Sequence, residues 1–286
     1  MKKITLIGTF LLSALCFNNL HAQDLPKPSS SAEVKQKIGL TDVTVVYSRP
    51  NVKDREIFGG LVPYNEIWRT GANMNTLITF SDDVKVEGKE VKAGTYSIFT
   101  FPGEKEWKVV FNTETKSWGT GSYDETSNIF EATVTAKEGC HQETMAFSFE
   151  NVQIENGILQ LAWNKTLIQL KIDVDVKAKA WKNIETAIAE VTDKNKASVY
   201  RNCAKYCADN NMELDKALTW INESIKAQEY WFSYWVKADI LHAKGDNKGA
   251  ITSAKKAIEL GEAGAKESGK PFAYKTRLEE AIKNYK

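Results

Sequence analysis

The pattern of apolar and polar residues changes once along this chain. In the first part, short β-branched and aromatic runs alternate between apolar and polar positions, and turn residues such as Asn156 and Gly157 separate them. This period of two predicts an all-β, sandwich-like domain of about nine strands over residues 41–176. The predicted strands are Val43–Ser48, Thr76–Phe80, Val84–Val86, Thr95–Phe101, Trp107–Asn112, Ile129–Thr135, Thr144–Phe149, Ile158–Trp163 and Leu167–Val174.

From Lys177 onward the apolar residues recur every three to four positions, which predicts a series of α-helices. The segments that begin at Asp215 and Asn247 resemble each other and place Ala217 and Ala250 33 residues apart. Because tetratricopeptide repeats have a period of about 34 residues, this spacing predicts an all-α, tetratricopeptide-like domain. The predicted domain covers residues 177–286, with repeats at 198–262 and single helices at Ala178–Val191 and Pro271–Tyr285.

The chain begins with the features of a secretory signal peptide. Two lysines precede an apolar stretch at Ile4–Phe17, and the small residue Ala22 fits a cleavage site. A membrane-spanning helix needs about 20 apolar residues, so this stretch is too short to be one. We therefore expect a signal peptide at residues 1–22, an N-terminal linker at 23–40 and no transmembrane segment. The expected location is the periplasm or cell surface of a Gram-negative-type bacterium.

Charge separates the two predicted domains. Residues 23–176 carry 16 Lys and Arg against 22 Asp and Glu, a balance of −6, whereas residues 177–286 carry 20 against 15, a balance of +5. This asymmetry supports a division into two domains. The net charge of the whole chain is only +1, so nucleic-acid binding has no electrostatic basis and we expect no such partner.

The residues that carry chemistry form no familiar catalytic or metal motif. Beyond the predicted signal peptide the histidines are His141 and His242, which fall in different predicted domains, so a catalytic triad lacks its base. Cys203 and Cys207 lie four residues apart in a predicted helix, where they fit small buried residues. We predict no cofactor and no metal site; an enzymatic role stays open, although the sequence favours a non-enzymatic one.

Arginine is concentrated in one window of the chain. Of 38 basic residues only five are arginines, and Arg49, Arg55 and Arg69 fall within 21 residues. A guanidinium binds carboxylates and phosphates through two parallel hydrogen bonds. Residues 50–75 around them are too rich in Pro, Gly and Asn for a strand, but their large apolar residues predict an ordered loop. The candidate residues for binding a small anionic or sugar-like ligand are Arg49, Arg55, Arg69, Tyr47, Trp68 and Asn73.

The same arginines also fit a purely structural role. Arg49 and Arg69 are close in sequence to the acidic residues Asp54, Glu56 and Glu66, to which they can hold the loop. The two interpretations predict different surroundings. A structural role predicts ion pairs with carboxylates, whereas a ligand site predicts one shared open pocket without them.

Several short motifs follow one another between residues 28 and 172. They are Tyr47–Pro50, Ile57–Gly59, Leu61–Tyr64, Trp68–Asn73, Ala93–Tyr96 and Glu106–Trp107. In this order they resemble the bacterial family known as domain of unknown function 2911. The resemblance implies an exported β-domain, sometimes followed by tetratricopeptide-like helices, and brings no assigned activity. The chain departs from the family pattern at Met74, where the family often has Glu, and at Asp54, where it often has Gly; both departures weaken a catalytic role.

Two functions remain open at this point. The first, which the sequence favours, is a periplasmic or cell-surface binding or assembly module that contacts a protein or peptide partner through its helical repeats. The second is a small-ligand receptor or enzyme with an Arg-lined anion site in the β-domain. The aromatic residues expected on the helical binding face, which packing between repeats would use equally well, are Trp220, Tyr230, Trp231, Tyr234 and Trp235.

Overall fold

The computed structural model describes residues 25–286, so the predicted signal peptide at residues 1–22 lies outside them. The chain divides into two compact units between Val174 and Asp175. Among the described residues, the first unit contains ten β-strands and the second contains six α-helices. The predicted fold class, an all-β domain followed by an all-α domain, is confirmed.

The first unit is built from two antiparallel sheets. Six strands form one sheet, in the order β1-β2-β3-β6-β7-β8, and four form the other, in the order β5-β4-β10-β9, where the numbers follow the chain. All the pairs between neighbouring strands are antiparallel. The strands are β1 (Ser30–Ile38), β2 (Thr41–Arg49), β3 (Thr76–Phe80), β4 (Val84–Val86), β5 (Lys89–Val91), β6 (Gly94–Phe101), β7 (Glu106–Asn112), β8 (Asn128–Thr135), β9 (Lys137–Glu150) and β10 (Asn156–Val174).

Strand β1 lies in the segment that the sequence predicts to be a linker. Among the described strands it is an edge strand that pairs only with β2, from Ser30 opposite Arg49 to Ile38 opposite Thr41. A strand at a sheet edge with one face in water needs few apolar residues. The polar composition of this segment therefore does not distinguish an edge strand from a linker.

Strand β10 joins two segments that the sequence predicts as separate strands. Asn164 has a φ of 53°, and the pairing register with β9 shifts on both sides of it. The strand thus continues through an irregularity where the sequence pattern is interrupted by polar residues. Strand β5 is missing from the predicted set because two of its three residues are Lys and Glu, which are depleted in strands.

The core of the β-unit includes side chains from the loop at residues 50–75. Trp107 on β7 and Trp163 on β10 are each only 1% exposed. Trp68 of the loop stacks on Trp163, with ring centroids 5.6 Å apart and an interplanar angle of 22°. Phe58 of the loop meets Trp107 edge-on at 4.7 Å. These aromatic contacts stabilise the loop against the strands.

Backbone hydrogen bonds fasten the loop at both ends. Near its start, the Val52 amide donates to the carbonyl of Glu143 on β9, at 2.8 Å. Near its end, Trp68 and Thr100 on β6 exchange two hydrogen bonds of 2.8 and 2.9 Å. The loop is therefore ordered, as its large apolar residues predict.

The helices of the second unit pack in the order in which they follow along the chain. Ala217 and Ala250, the two residues that mark the apparent repeat, are both fully buried. Cys203 and Cys207 are buried in the same unit, as their spacing predicts. Within residues 25–286, no helix is long and apolar enough to cross a membrane. The helices are α1 (Val176–Ala189), α2 (Lys196–Asp209), α3 (Leu214–Ala227), α4 (Trp231–Ala243), α5 (Asn247–Ser268) and α6 (Lys275–Asn284).

Candidate functional site

Arg49 is the first of the three clustered arginines, and it ties two strands together. Its Nε donates a hydrogen bond of 2.8 Å to the carbonyl of Met145. Met145 is fully buried on β9, whereas Arg49 ends β2, which belongs to the other sheet. Arg49 therefore supports the contact between the sheets.

Arg55 is exposed, and part of its guanidinium is already in use. Its Nε donates to the carbonyl of Val52 at 3.0 Å, and its Nη2 donates to the carbonyl of Asn51 at 2.6 Å. These bonds fold the side chain back over the start of the loop. The remaining N–H groups stay available to another acceptor.

Arg69 differs from the other two arginines because its guanidinium has no hydrogen-bond acceptor or ion-pair partner among residues 25–286. The residue is partly buried, and its Nε is a buried donor without an acceptor. Burial lowers the pKa of Arg69 below its ordinary value, since the charged form loses hydration. A buried cation is normally paired, so Arg69 presents an unused binding capacity.

A cavity of about 400 Å³ brings Arg55 and Arg69 together. We call it the cationic cavity, because Lys53 also lines it while no Asp or Glu belongs to its lining in the described part of the chain. Trp68 and Trp163 also belong to its lining, although they are only 7% and 1% exposed. Residues 23–176 contain 16 basic and 22 acidic residues, a balance of −6. The cavity lining therefore differs in charge from the unit that surrounds it. Such a cavity can accept an anion through electrostatic attraction and charge-assisted hydrogen bonds.

The backbone that presents Arg69 is strained. Thr70, the next residue, has a φ of +56° although it is β-branched, and it is buried. Its hydroxyl lies 3.1 Å from the hydroxyl of Thr100, and its carbonyl accepts a hydrogen bond of 2.7 Å from the Thr76 hydroxyl. Trp68 Nε1 donates to the carbonyl of Gly71 at 3.1 Å. Strain of this kind costs about 1–3 kcal/mol and concentrates at functional sites.

Tyr47 and Asn73 line a different cavity, of about 540 Å³, which Leu25, Lys27 and Met74 also border. The Tyr47 hydroxyl accepts a hydrogen bond of 3.0 Å from the amide of Phe147. Asn73 Nδ2 donates to the carbonyl of Ser29 at 3.1 Å, and Ser29 lines both cavities. The structure therefore divides the six predicted residues. Arg55, Trp68 and Arg69 share the cationic cavity, Tyr47 and Asn73 border the second one, and Arg49 lines neither.

Most residues that line the cationic cavity are absent from the predicted set, and two of them, Lys53 and Trp163, bear on its chemistry. Lys53 lies in the same loop, but lysine is so frequent in this chain that its position carries no signal. Trp163 is on β10, 95 residues after Trp68 (163 − 68), and only the fold brings the two together. Trp163 Nε1 is a second buried donor without an acceptor.

The acidic residues near the arginines in sequence do not pair with them. Asp54, Glu56 and Glu66 make no ion pair with Arg49, Arg55 or Arg69 within the described residues; the hydrogen bonds of Arg49 and Arg55 go to backbone carbonyls. Across residues 25–286, no group of three His, Cys, Asp or Glu side chains is placed to hold a metal ion.

The aromatic residues predicted to form a helical binding face are largely packed within the second unit. Trp231 stacks on Tyr274 with centroids 5.0 Å apart, and the ring of Trp220 lies 6.1 Å from that of Trp181. Tyr230 and Tyr274 remain 38% and 41% exposed beside a groove of about 590 Å³. We call this feature the aromatic groove.

Fold and site together define a two-unit protein, with a cationic cavity in a two-sheet antiparallel unit that is followed by a helical unit. The family described as "Protein of unknown function (DUF2911)" matches residues 29–172, and the chain belongs to this family. A search of curated proteins and a search of solved structures found no match.

Proposed function

We propose that the β-unit of this protein binds a small anionic ligand in the cationic cavity, with Arg69 as the main contact. The observation that carries the proposal is the unpartnered guanidinium of Arg69 in a cavity without carboxylates. Arg69 is partly buried and its Nε lacks an acceptor, so an anionic ligand would supply the partner that this cation lacks within the described residues. Arg55 and Lys53 add positive charge to the same cavity.

The site is already ordered in the absence of a ligand. The loop that carries both arginines is fastened to β9 and β6 and packed through Trp68, so little ordering is needed when a ligand enters. The strained conformation of Thr70 fixes the direction of the neighbouring Arg69. The proposal assigns recognition to this site and no reaction.

Thermal unfolding in a panel of small anions at constant ionic strength tests the proposal. The panel contains sulfate, phosphate, acetate, phenylacetate and glucuronate. A ligand at about 100 times its dissociation constant adds about 2.7 kcal/mol to the stability of the protein. At least one anion should stabilise the protein, and Arg69→Lys should remove this effect because an ammonium does not reproduce the planar fork.

Arg49→Lys is the matched control, since Arg49 lies in the same window but outside the cationic cavity. It should leave the anion effect intact. The proposal is wrong if no anion stabilises the protein, or if Arg69→Lys retains the full effect.

Export is part of the same proposal and rests on the signal-like sequence at residues 1–22. Cell fractionation should recover the processed chain in the periplasm or on the cell surface. Recovery of the unprocessed chain in the cytoplasm would contradict it.

The helical unit provides a second candidate function, namely contact with a protein or peptide partner by a tetratricopeptide-like arrangement. The observation that favours it is the exposure of Tyr230 and Tyr274 beside the aromatic groove. Crosslinking in the native envelope compares the wild type with the double variant Tyr230→Ser/Tyr274→Ser. A partner that is lost in this variant but kept in Arg69→Lys supports the role, whereas identical crosslinks in all three proteins exclude it.

A further inference from the structure

The number of cations in the cationic cavity restricts the class of ligand that it takes, an inference that rests on the proposed function. We propose that the ligand is a hydroxyl-bearing small molecule with at least two negative charges, such as a sugar phosphate or a sugar dicarboxylate. Two properties of the lining carry this assignment. Three positive side chains have no carboxylate partner within the described residues, and several polar groups have unused hydrogen-bonding capacity.

Each of the three cations keeps donors for a ligand. Arg69 makes no hydrogen bond or ion pair among residues 25–286, and its Nε is a buried donor without an acceptor. Nε and Nη2 of Arg55 donate to backbone carbonyls, so no carboxylate balances its charge there and its other N–H groups stay free. The ammonium of Lys53 likewise has no acceptor in the described part of the chain.

Glu143 is a carboxylate beside Lys53, and both of its oxygens are engaged elsewhere. Its Oε1 accepts a hydrogen bond of 3.0 Å from the Lys53 backbone amide, and its Oε2 lies 3.4 Å from Nε2 of His141. Glu143 does not belong to the lining of the cavity. Three positive charges therefore share the cavity without a counter-charge in its lining, and a ligand with two negative charges gains more Coulomb attraction there than a ligand with one.

The three cations differ in exposure, which gives them different roles in binding. Arg69 is partly buried, whereas Lys53 and Arg55 are exposed. Because water and salt screen exposed charges more than partly buried ones, a contact with Arg69 contributes most to the affinity. Lys53 and Arg55 are the cations that remain for the second negative charge. They should therefore decide how strongly the site prefers a dianion to a monoanion.

The polar groups of the lining suit a body that carries hydroxyl groups. The hydroxyls of Ser29 and Thr120 make no hydrogen bond within the described residues. Asn51 Oδ1 accepts a hydrogen bond of 2.7 Å from Thr144, which leaves the Nδ2 donors of Asn51 free. Sites for organic small molecules have volumes of about 300–1,000 Å³, and the cationic cavity, at about 400 Å³, falls in this range. An inorganic ion would use neither this space nor these polar groups fully.

Isothermal titration of the full chain at constant ionic strength and about pH 7.5, where a phosphate ester carries close to two negative charges, tests the assignment. Glucose 6-phosphate and glucose 6-sulfate share a body and differ by one charge, and glucarate and gluconate differ by one carboxylate. At least one dianion should bind tenfold or more tightly than its monoanionic counterpart, and the pair that shows this difference identifies the source of the second charge. The same dianion should bind tenfold or more tightly than its counterpart without hydroxyl groups on a carbon body, which is inorganic phosphate or succinate.

The variants assign the charges to their partners. Arg69→Gln should weaken the binding of the dianion by tenfold or more. Lys53→Gln and Arg55→Gln should lower the preference for the dianion over the monoanion by threefold or more, because each removes a cation that the second charge contacts. Lys85→Gln is the control, since Lys85 is an exposed cation on β4 outside the cavity. It should change neither the affinity nor the preference by more than twofold.

The outcomes separate this inference from the proposed function. If monoanions bind as tightly as dianions, or if inorganic phosphate and succinate match the sugar derivatives, and binding depends on Arg69, the anion site stands and the ligand class is wrong. The class is also wrong if the preference for the dianion is unchanged in both Lys53→Gln and Arg55→Gln. If no probe binds, or if the dianions bind equally well to Arg69→Gln, both proposals are wrong.

Discussion

Replacing Arg69 with methionine should stabilise the unliganded protein, which is the reverse of the usual effect of a substitution beside a core. Methionine keeps an unbranched apolar stem but removes the charge and the unpartnered Nε donor. A buried donor without an acceptor costs about 1–3 kcal/mol. Because Arg69 is only partly buried, we expect the low end, about 1 kcal/mol.

The same substitution at Arg49 should have the opposite sign. Its Nε donates to the carbonyl of Met145, and Met145 is fully buried, so Arg49→Met leaves that carbonyl without its partner. We expect a loss of about 1–3 kcal/mol. Both variants replace Arg with Met within one window. The difference between their unfolding free energies therefore reports the different surroundings of the two arginines.

Calorimetric melting of both variants and the wild type in a buffer of large, weakly binding anions measures the effect. For a unit of about 150 residues, 1 kcal/mol corresponds to a shift of the melting temperature of about 2–4 °C. Arg69→Met should therefore melt above the wild type and Arg49→Met below it. If Arg69→Met is destabilised as much as Arg49→Met, Arg69 is a structural pin and the reasoning that leads to an anion site is refuted.

Three further outcomes are expected. Glycine adopts the φ of +59° that Asn73 has, so Asn73→Gly should lose only the hydrogen bond to Ser29, about 0.5–1.5 kcal/mol in urea unfolding. Asn73→Ala should lose about 1 kcal/mol more, because alanine is strained at this φ. Equal losses would contradict the strain argument. Burial raises the pKa of Asp239 above its ordinary value of 3.8, because the folded state disfavours the charged form. The preference of the folded state for the protonated form stabilises the protein below that value, and this stabilisation is lost as the pH rises through the pKa of the folded state. Asp239→Asn should therefore raise the melting temperature at pH 7 and the gain should vanish near pH 3, which a melting series over pH checks; a gain that is constant with pH would exclude this origin. Burial also raises the pKa of Cys207 to about 11, so native-state alkylation at pH 8 followed by mass spectrometry should modify the exposed Cys140 and spare Cys207 until the protein unfolds; equal labelling of both would show that the helical core opens.

The sequence predicts the elements of this protein well where their pattern is local. Strands β3 and β4 have the predicted bounds, because alternation and turn residues act within a few positions. Strand β1 differs, since an edge position is defined by the absence of a neighbour on one side. An edge position depends on how the other strands are arranged, so the residues of the segment alone do not predict it.

The candidate site shows the same limit more sharply. The Arg-rich window predicts one shared pocket, and Arg55 and Arg69 do line the same cavity. Arg49 carries the same side chain in the same window, yet it bonds to a carbonyl of a strand 96 residues away. Residue type and spacing cannot separate a pin from a free cation, because the difference is set by which backbone acceptors the fold brings close.

The attachment of the loop to both sheets has a mechanical consequence. The start of the loop, which carries Arg55, is bonded to β9 of one sheet, and its end, beside Arg69, is bonded to β6 of the other. A ligand held by both arginines would act as a clamp that resists sliding of the sheets past each other. Backbone amide hydrogen exchange in β6 and in β9 should then slow together when the ligand binds.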